Sequence, residues 1–136
     1  MVSVPVLLQP VLDAVDAREL AEFYRQLFTL RYRKGDEPTS CEADSADWLV
    51  LLDGQGWRVI AFQQTEQHTP TTWPSPEVLM QAHLDFTVPD RESLDVAHVG
   101  ALDLGARLIN DESDDPDEPL YAYADPAGHP FCIFIG

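Results

Sequence analysis

Basic residues are scarce in this chain. Only 8 Lys and Arg stand against 24 Asp and Glu in 136 residues, for a formal net charge of −16. A surface of that sign repels a phosphate backbone, and no Lys/Arg stripe offsets it locally, so nucleic acid is not an expected partner. Cysteine is scarcer still: Cys41 and Cys132 form no C-x-x-C and sit in unlike surroundings, one a polar loop and the other an apolar strand. Two separate reduced thiols in a cytoplasmic protein are the expectation, with a disulfide between them as the alternative. No apolar run approaches the ~18 residues a membrane helix needs, which removes the membrane as a partner. The opening segment has neither the basic start nor the small-residue cleavage site of a secretory signal, and Pro5 and Pro10 interrupt it, so it reads as a strand of the mature protein. Also missing are a nucleophile elbow, a phosphate-binding loop, a dinucleotide fingerprint and H-E-x-x-H. The densest acidic run, Asp111 to Glu118, lacks the glycine and the distal glutamate of an EF-hand and is expected to be a solvated loop.

What is present is a repeat. The second half follows the first at an offset of 74 residues, with Asp16 against Asp90, Leu20 against Leu94, Phe23 against Ala97 and Leu27 against Ala101. Each half runs from a strand into an Asp-capped helix, then through further strands to a Gly-containing hairpin and a last apolar strand. Two tandem βαβββ modules follow, an α+β fold in one domain over residues 1–136. Module one covers about 4–63, a Pro-rich linker about 64–78, and module two about 79–136.

Period-2 alternation predicts a first strand over 4–14, with Leu8, Leu12 and Ala14 on one face and Gln9, Val11 and Asp13 on the other. Asp16 and Glu19 form a capping-box pattern before Leu20, Phe23, Tyr24 and Leu27 at helical spacing. Strands are expected at 30–34, 48–52 and 57–63, the last two around Asp53-Gly-Gln-Gly56. In the second module a strand over 82–88 turns Leu84, Phe86 and Val88 toward a helix and leaves His83, Asp85 and Thr87 on the opposite side. Asp90 opens a helix that Gly105 ends. Strands at 107–110, 120–124 and 130–135 complete the unit, the last pair around Asp125-Pro-Ala-Gly128.

The Asp-capped "D…FY" helix (Asp16 to Tyr24), Gln81-Ala-His-Leu-Asp85 and Tyr123-Ala-Asp-Pro-Ala-Gly-His-Pro-Phe131, in this order, resemble the vicinal-oxygen-chelate superfamily. Within it the chain is similar to the glyoxalase-like and bleomycin-resistance-protein-like domains. The resemblance implies that the modules form a curved mixed sheet, a half-barrel cup that takes a small organic molecule, and that two chains pair as a homodimer. It further implies metal-ligand positions on the first and last strands of each module. These fall at Gln9 and His83 on the first strands, and at Ala61 (or Ile60 or Phe62, one residue away) and Cys132 on the last. No carboxylate stands at the last-strand positions, so a cup without the usual divalent metal is the leading expectation.

Two function classes stay open. In the first, a binding module holds its ligand through Gln9, Trp48, His83, Asp85 and Tyr121. In the second, an enzyme of the lyase or dioxygenase type uses His83 with Asp85 as a general base, or a non-standard metal site built from His83, Asp85 and Asp13. Ordinary structural roles compete with each: His83 as a satisfied partner of Asp85, Trp48, Tyr121 and Tyr123 as core, His129 as a turn residue and Cys132 as inert interior.

Overall fold

Each helix begins where an aspartate precedes an apolar period. Asp16 caps α1 (Ala17–Leu27), its carboxylate accepting from the Glu19 amide at 3.0 Å, and Asp90 caps α2 (Arg91–Asp103), accepting from the Ser93 amide at 2.8 Å. Both bonds satisfy amides that have no partner inside the helix. The expected stop after α2 is found, with Gly105 at φ +108°, a left-handed conformation that glycine adopts without a Cβ clash. The computed structural model describes residues 1–39 and 44–136. Cys41, and with it the expected state of its thiol, lies outside the described residues.

Eight strands accompany the helices: β1 (Val11–Ala14), β2 (Arg31–Tyr32), β3 (Trp48–Leu52), β4 (Arg58–Gln64), β5 (Leu84–Val88), β6 (Arg107–Glu112), β7 (Leu120–Ala124) and β8 (Pro130–Ile135). They form two open four-stranded sheets of the same topology, β1-β4-β3-β2 and β5-β8-β7-β6. In each, the first strand runs parallel to the last and the remaining pairs are antiparallel. The tandem α+β arrangement read from the repeat is therefore the fold.

Several boundaries differ from the periodicity. The first strand begins at Val11 and not at residue 4: Pro5 and Pro10 supply no amide to a ladder, and Met1 to Leu8 are exposed outside any sheet. The expected strand at 30–34 shrinks to Arg31–Tyr32, next to Thr29 at φ +54°. The strand of module two starts at Leu84, one residue after His83. Conversely β6 extends to Glu112, so the acidic run begins within a strand and only its remainder is loop.

Alternation decides which side chains enter the core. Leu49, Leu51, Ile60 and Phe62 of the first sheet and Tyr123, Phe131 and Ile133 of the second are buried with Leu20, Phe23, Tyr24 and Leu94 of the helices. Leu84, Phe86 and Val88 pack against this cluster while His83, Asp85 and Thr87 are exposed, as the strand pattern predicts. Helix α1 also joins the modules. Phe28 stacks on Phe86 at 3.9 Å and Phe23 meets Phe131 edge-on at 5.8 Å, contacts worth about 0.5–1.5 kcal/mol each beyond the area they bury.

At the centre of that junction the Tyr24 hydroxyl donates to Asp125 Oδ2 at 2.7 Å, both residues being buried. The other carboxylate oxygen accepts from the Ala127 and His129 amides at 3.0 and 2.9 Å. Burial and the adjacent carboxylate hold the Tyr24 phenol well above its ordinary range. Burial likewise pushes the Asp125 carboxyl up, against the pull of its three hydrogen bonds. Removing the donor by Tyr24→Phe should destabilise the protein by about 1–3 kcal/mol in urea unfolding. The Asp125 pKa is higher in the folded state than in the unfolded one. Its contribution is therefore greatest below the unfolded value and is lost as pH rises through the folded value. The stability of the native chain relative to Asp125→Asn should accordingly fall from acid toward neutral pH, and a difference flat with pH would contradict the assignment.

Candidate functional site

The Pro-rich linker lies along the last hairpin. Thr71 donates its amide to the Gly128 carbonyl at 2.9 Å, and the linker backbone passes so close that a Cβ at position 128 would fall 2.4 Å from Pro70 Cβ. Gly128, at φ +95°, is thus required by both its conformation and its neighbour. The His68 ring stacks on His129 at 4.1 Å, and His129 Nε2 donates to the Asp13 carbonyl at 2.6 Å, tying linker, hairpin and β1 together. His68 Nε2 is shielded from water without a hydrogen-bond partner among the described residues, and burial, then His129, lowers its pKa.

Between β1 and β5, beneath this linker, opens a cavity of about 680 Å³. Val11, Leu12 and Asp13 form one wall, His83 and Leu84 another, and the linker with the residues that follow it (His68, Thr71 and Val78 to Met80) a third. A smaller recess of about 140 Å³ adjoins it, lined by Trp73, Tyr123 and Cys132; Met80, His83 and Pro130 border both spaces.

Register explains the chemistry beside the cavity. Asp85 on β5 stands opposite Cys132 on β8, and His83 ends the segment leading into β5, so three donors share the face turned away from the helices. Their ligating atoms lie within 4.8 Å of one another. His83 Nε2 is 3.2 Å from Asp85 Oδ1, with 44% and 53% of these side chains exposed. His83 borders the cavity and its recess, whereas Asp85 stands behind it and lines neither. Burial raises the Cys132 pKa, and the charge and hydrogen bond of Asp85 raise it further. The thiol is therefore a protonated donor to Asp85 and a poor nucleophile at neutral pH. One imidazole, one carboxylate and one thiol at this spacing fit a divalent ion of borderline softness better than a hard one.

The equivalent place in the first module holds Val11 opposite Ala61. Ile60 and Phe62 are buried in the core, so Ala61 is the residue on the outer face, and it offers no ligand atom. Gln9 lies before β1, where its Oε1 accepts from Arg58 Nη1 at 3.4 Å; it lines none of these cavities. Trp48 begins β3 opposite Gln63, away from the cavity walls. Tyr121 faces α2, its ring stacked on His98 at 3.8 Å, and Tyr123 accompanies it with its hydroxyl 2.7 Å from His98 Nδ1. The structure brings His83 and Asp85 together. It joins them to Cys132, whose interior-like sequence context points to an inert role, and not to Asp13, which stands on the opposite cavity wall. The linker lining went unread from sequence; the apolar Val78-Leu-Met80 at the end of a polar stretch was its one signal.

The paired βαβββ architecture is that of known structures. Fosfomycin resistance protein FosX from Mesorhizobium loti superposes with a TM-score of 0.68 at 15% identity, covering 98% of this chain and 94% of that one. A glyoxalase/bleomycin resistance protein/dioxygenase family enzyme from Burkholderia phytofirmans PsJN gives 0.68 at 18% identity over 94% and 96%. A glyoxylase/bleomycin resistance protein/dioxygenase domain from Frankia sp. EAN1pec gives 0.65 at 15% identity over 98% and 93%. At these identities the likeness is one of fold. None of the curated proteins matches the chain in sequence. The profile of the glyoxalase-like domain family matches residues 9–134, and the chain belongs to that family.

If Asp85 holds the Cys132 proton, neutralising it should free the thiolate. In a Cys41→Ser background, Asp85→Asn should be alkylated by iodoacetamide faster than the parent near neutral pH, with the rates converging at alkaline pH; equal rates throughout would disconnect the two groups.

Proposed function

We propose that this glyoxalase-like domain binds a small organic molecule in the cavity between β1 and β5, with His83 as a polar contact and Asp85 orienting it from behind. The supporting observation is the cavity itself. Its volume of about 680 Å³ lies inside the ~300–1,000 Å³ range of small-molecule sites, and apolar walls converge there on a few polar groups. Gln9, Trp48 and Tyr121 fall outside this reading because they lie elsewhere. A ligand found by thermal-shift screening should lose about tenfold in affinity in His83→Ala, the loss of one hydrogen-bonding contact. Unchanged affinity would place binding elsewhere.

The 3.2 Å approach of His83 to Asp85 supports a second reading, an enzyme of lyase or dioxygenase type. With Nε2–H donated to the carboxylate, Nδ1 keeps its lone pair and can take a proton from a bound substrate, and Asp85 stabilises the imidazolium that forms. A divalent ion held by His83, Asp85 and Cys132 would polarise a substrate oxygen. Metal analysis of protein purified without a histidine tag separates the metal-dependent form of this reading from a metal-free cup, and turnover lost in His83→Ala would mark the metal-independent form. A stoichiometric ion, or stabilisation by Zn, Ni, Co, Mn or Fe(II) that His83→Ala abolishes, favours the metal-dependent enzyme. No ion and no stabilisation leave the metal-free cup, with or without a general base. Binding by Cys132 requires loss of its proton, so any such affinity should rise with pH.

A homodimer belongs to the same proposal. Val2, Val4, Val6 and Leu7 are exposed on the segment before β1, and β1 and β5 each stand at the end of a sheet. Apolar surface of this kind is covered at low cost by a second copy. Light scattering should report a dimer that deletion of residues 2–8 weakens; a monomer in the undeleted chain would end this part of the proposal.

A further inference from the structure

We propose that Asp13 makes the cavity selective for an apolar molecule carrying a positive charge, an ammonium or amidinium on a hydrocarbon or aromatic body. This inference rests on the small-molecule reading given above and adds the charge of the ligand and the residue that selects it.

The first ground is the composition of the walls. No Lys or Arg lines the main cavity, the adjoining recess or the two further cavities among the described residues. Five of the chain's eight Lys and Arg have partners away from the cavity. Arg18 is paired with Asp44, Arg25 with Glu22, Arg33 with Asp36 and Arg91 with Asp95, while Arg58 reaches Gln9. An anionic ligand would thus lose its hydration in the cavity without gaining a fixed opposite charge.

The second ground is the position of Asp13. It is exposed on the β1 wall, and none of the ion pairs among the described residues engages it. Its backbone is fixed, since its carbonyl accepts from His129 and β1 is paired to β4 through Asp13 and Gln63. A carboxylate held on a rigid strand, facing a space walled by Val11, Leu79, Met80 and Leu84, matches a ligand with a charged head and an apolar body. Three imidazoles line the cavity, His68, His83 and His129, and none supplies an unengaged donor for an anion: His129 spends its Nε2–H on the Asp13 carbonyl and stacks on His68. His68 is biased toward its neutral form, and His83 is already directed at Asp85, a second carboxylate of the same side of the molecule.

A matched set of probes tests the charge apart from the shape. Isothermal titration of the full chain near pH 8, where an unperturbed imidazole carries little charge, would compare 2-naphthylmethylammonium, 2-naphthylmethanol and 2-naphthoate. Salt of about 0.15 M screens the diffuse acidity of the surface. The ammonium should bind about tenfold more tightly than the carboxylate and about fivefold more tightly than the alcohol. Asp13→Asn, its fold checked by an unchanged melting curve, should bring ammonium and alcohol to equal affinity and leave alcohol binding as it was. Equal binding of ammonium and alcohol by the native chain, or an ammonium affinity untouched in Asp13→Asn, overturns the selectivity and leaves the small-molecule reading standing. Tightest binding of the carboxylate overturns it as well. Binding of none of the three overturns both. The comparison among probes in the native chain keeps the test decisive even where Asp13→Asn fails to fold.

Discussion

The buried bond between Tyr24 and Asp125 is the constraint on which the rest of the molecule depends. A carboxylate in an apolar interior persists only when its oxygens are satisfied, and here one oxygen takes the phenol of α1 while the other takes two amides of its own turn. The amides fix the shape of the hairpin between β7 and β8, and the phenol fixes where that hairpin sits relative to the first module. From the hairpin the constraint passes outward. Gly128 receives the linker through Thr71, and His129 receives β1 through the Asp13 carbonyl. Two walls of the cavity, β1 and the linker, are therefore tied to one acidic side chain that does not touch the cavity.

The two modules share their topology but not their chemistry. On the face away from the helices, the second module sets Asp85 against Cys132 with His83 beside them, whereas the first sets Val11 against Ala61. Backbone pairing and core packing need only the inward residues, which are apolar in both halves. The outward residues are free to differ, and that freedom is where a site can be built on a duplicated scaffold.

Much of the fold was legible in the residues. The 74-residue offset, the paired caps Asp16 and Asp90, the stop at Gly105 and the split of His83, Asp85 and Thr87 from Leu84, Phe86 and Val88 all follow from local rules of spacing. Strand lengths were less so. Alternation over 4–14 outweighed Pro5 and Pro10, although missing amides end the ladder there. The site was half legible. His83 and Asp85 are two residues apart and on one face by periodicity, but Cys132 reaches them through a parallel pairing across 47 residues of chain, a register that no local pattern states. Tyr121 shows the same limit: alternation places it with Tyr123, and only the packing of His98 settles which face they occupy. The Tyr24–Asp125 contact spans 101 residues, and each partner had a sufficient local explanation, as a helix core position and as a turn residue.

The asymmetry between the halves makes the chain its own reference. Changes of solvent, salt or temperature that act on backbone and core reach both sheets through equivalent strands. A spectroscopic difference between β5–β8 and β1–β4 under the same change consequently reports on what the two outer faces do not share: His83, Asp85 and Cys132 beside one, Val11 opposite Ala61 with Asp13 nearby on the other. The first sheet is thus an internal reference that lacks the three clustered donors, carried in the same polypeptide.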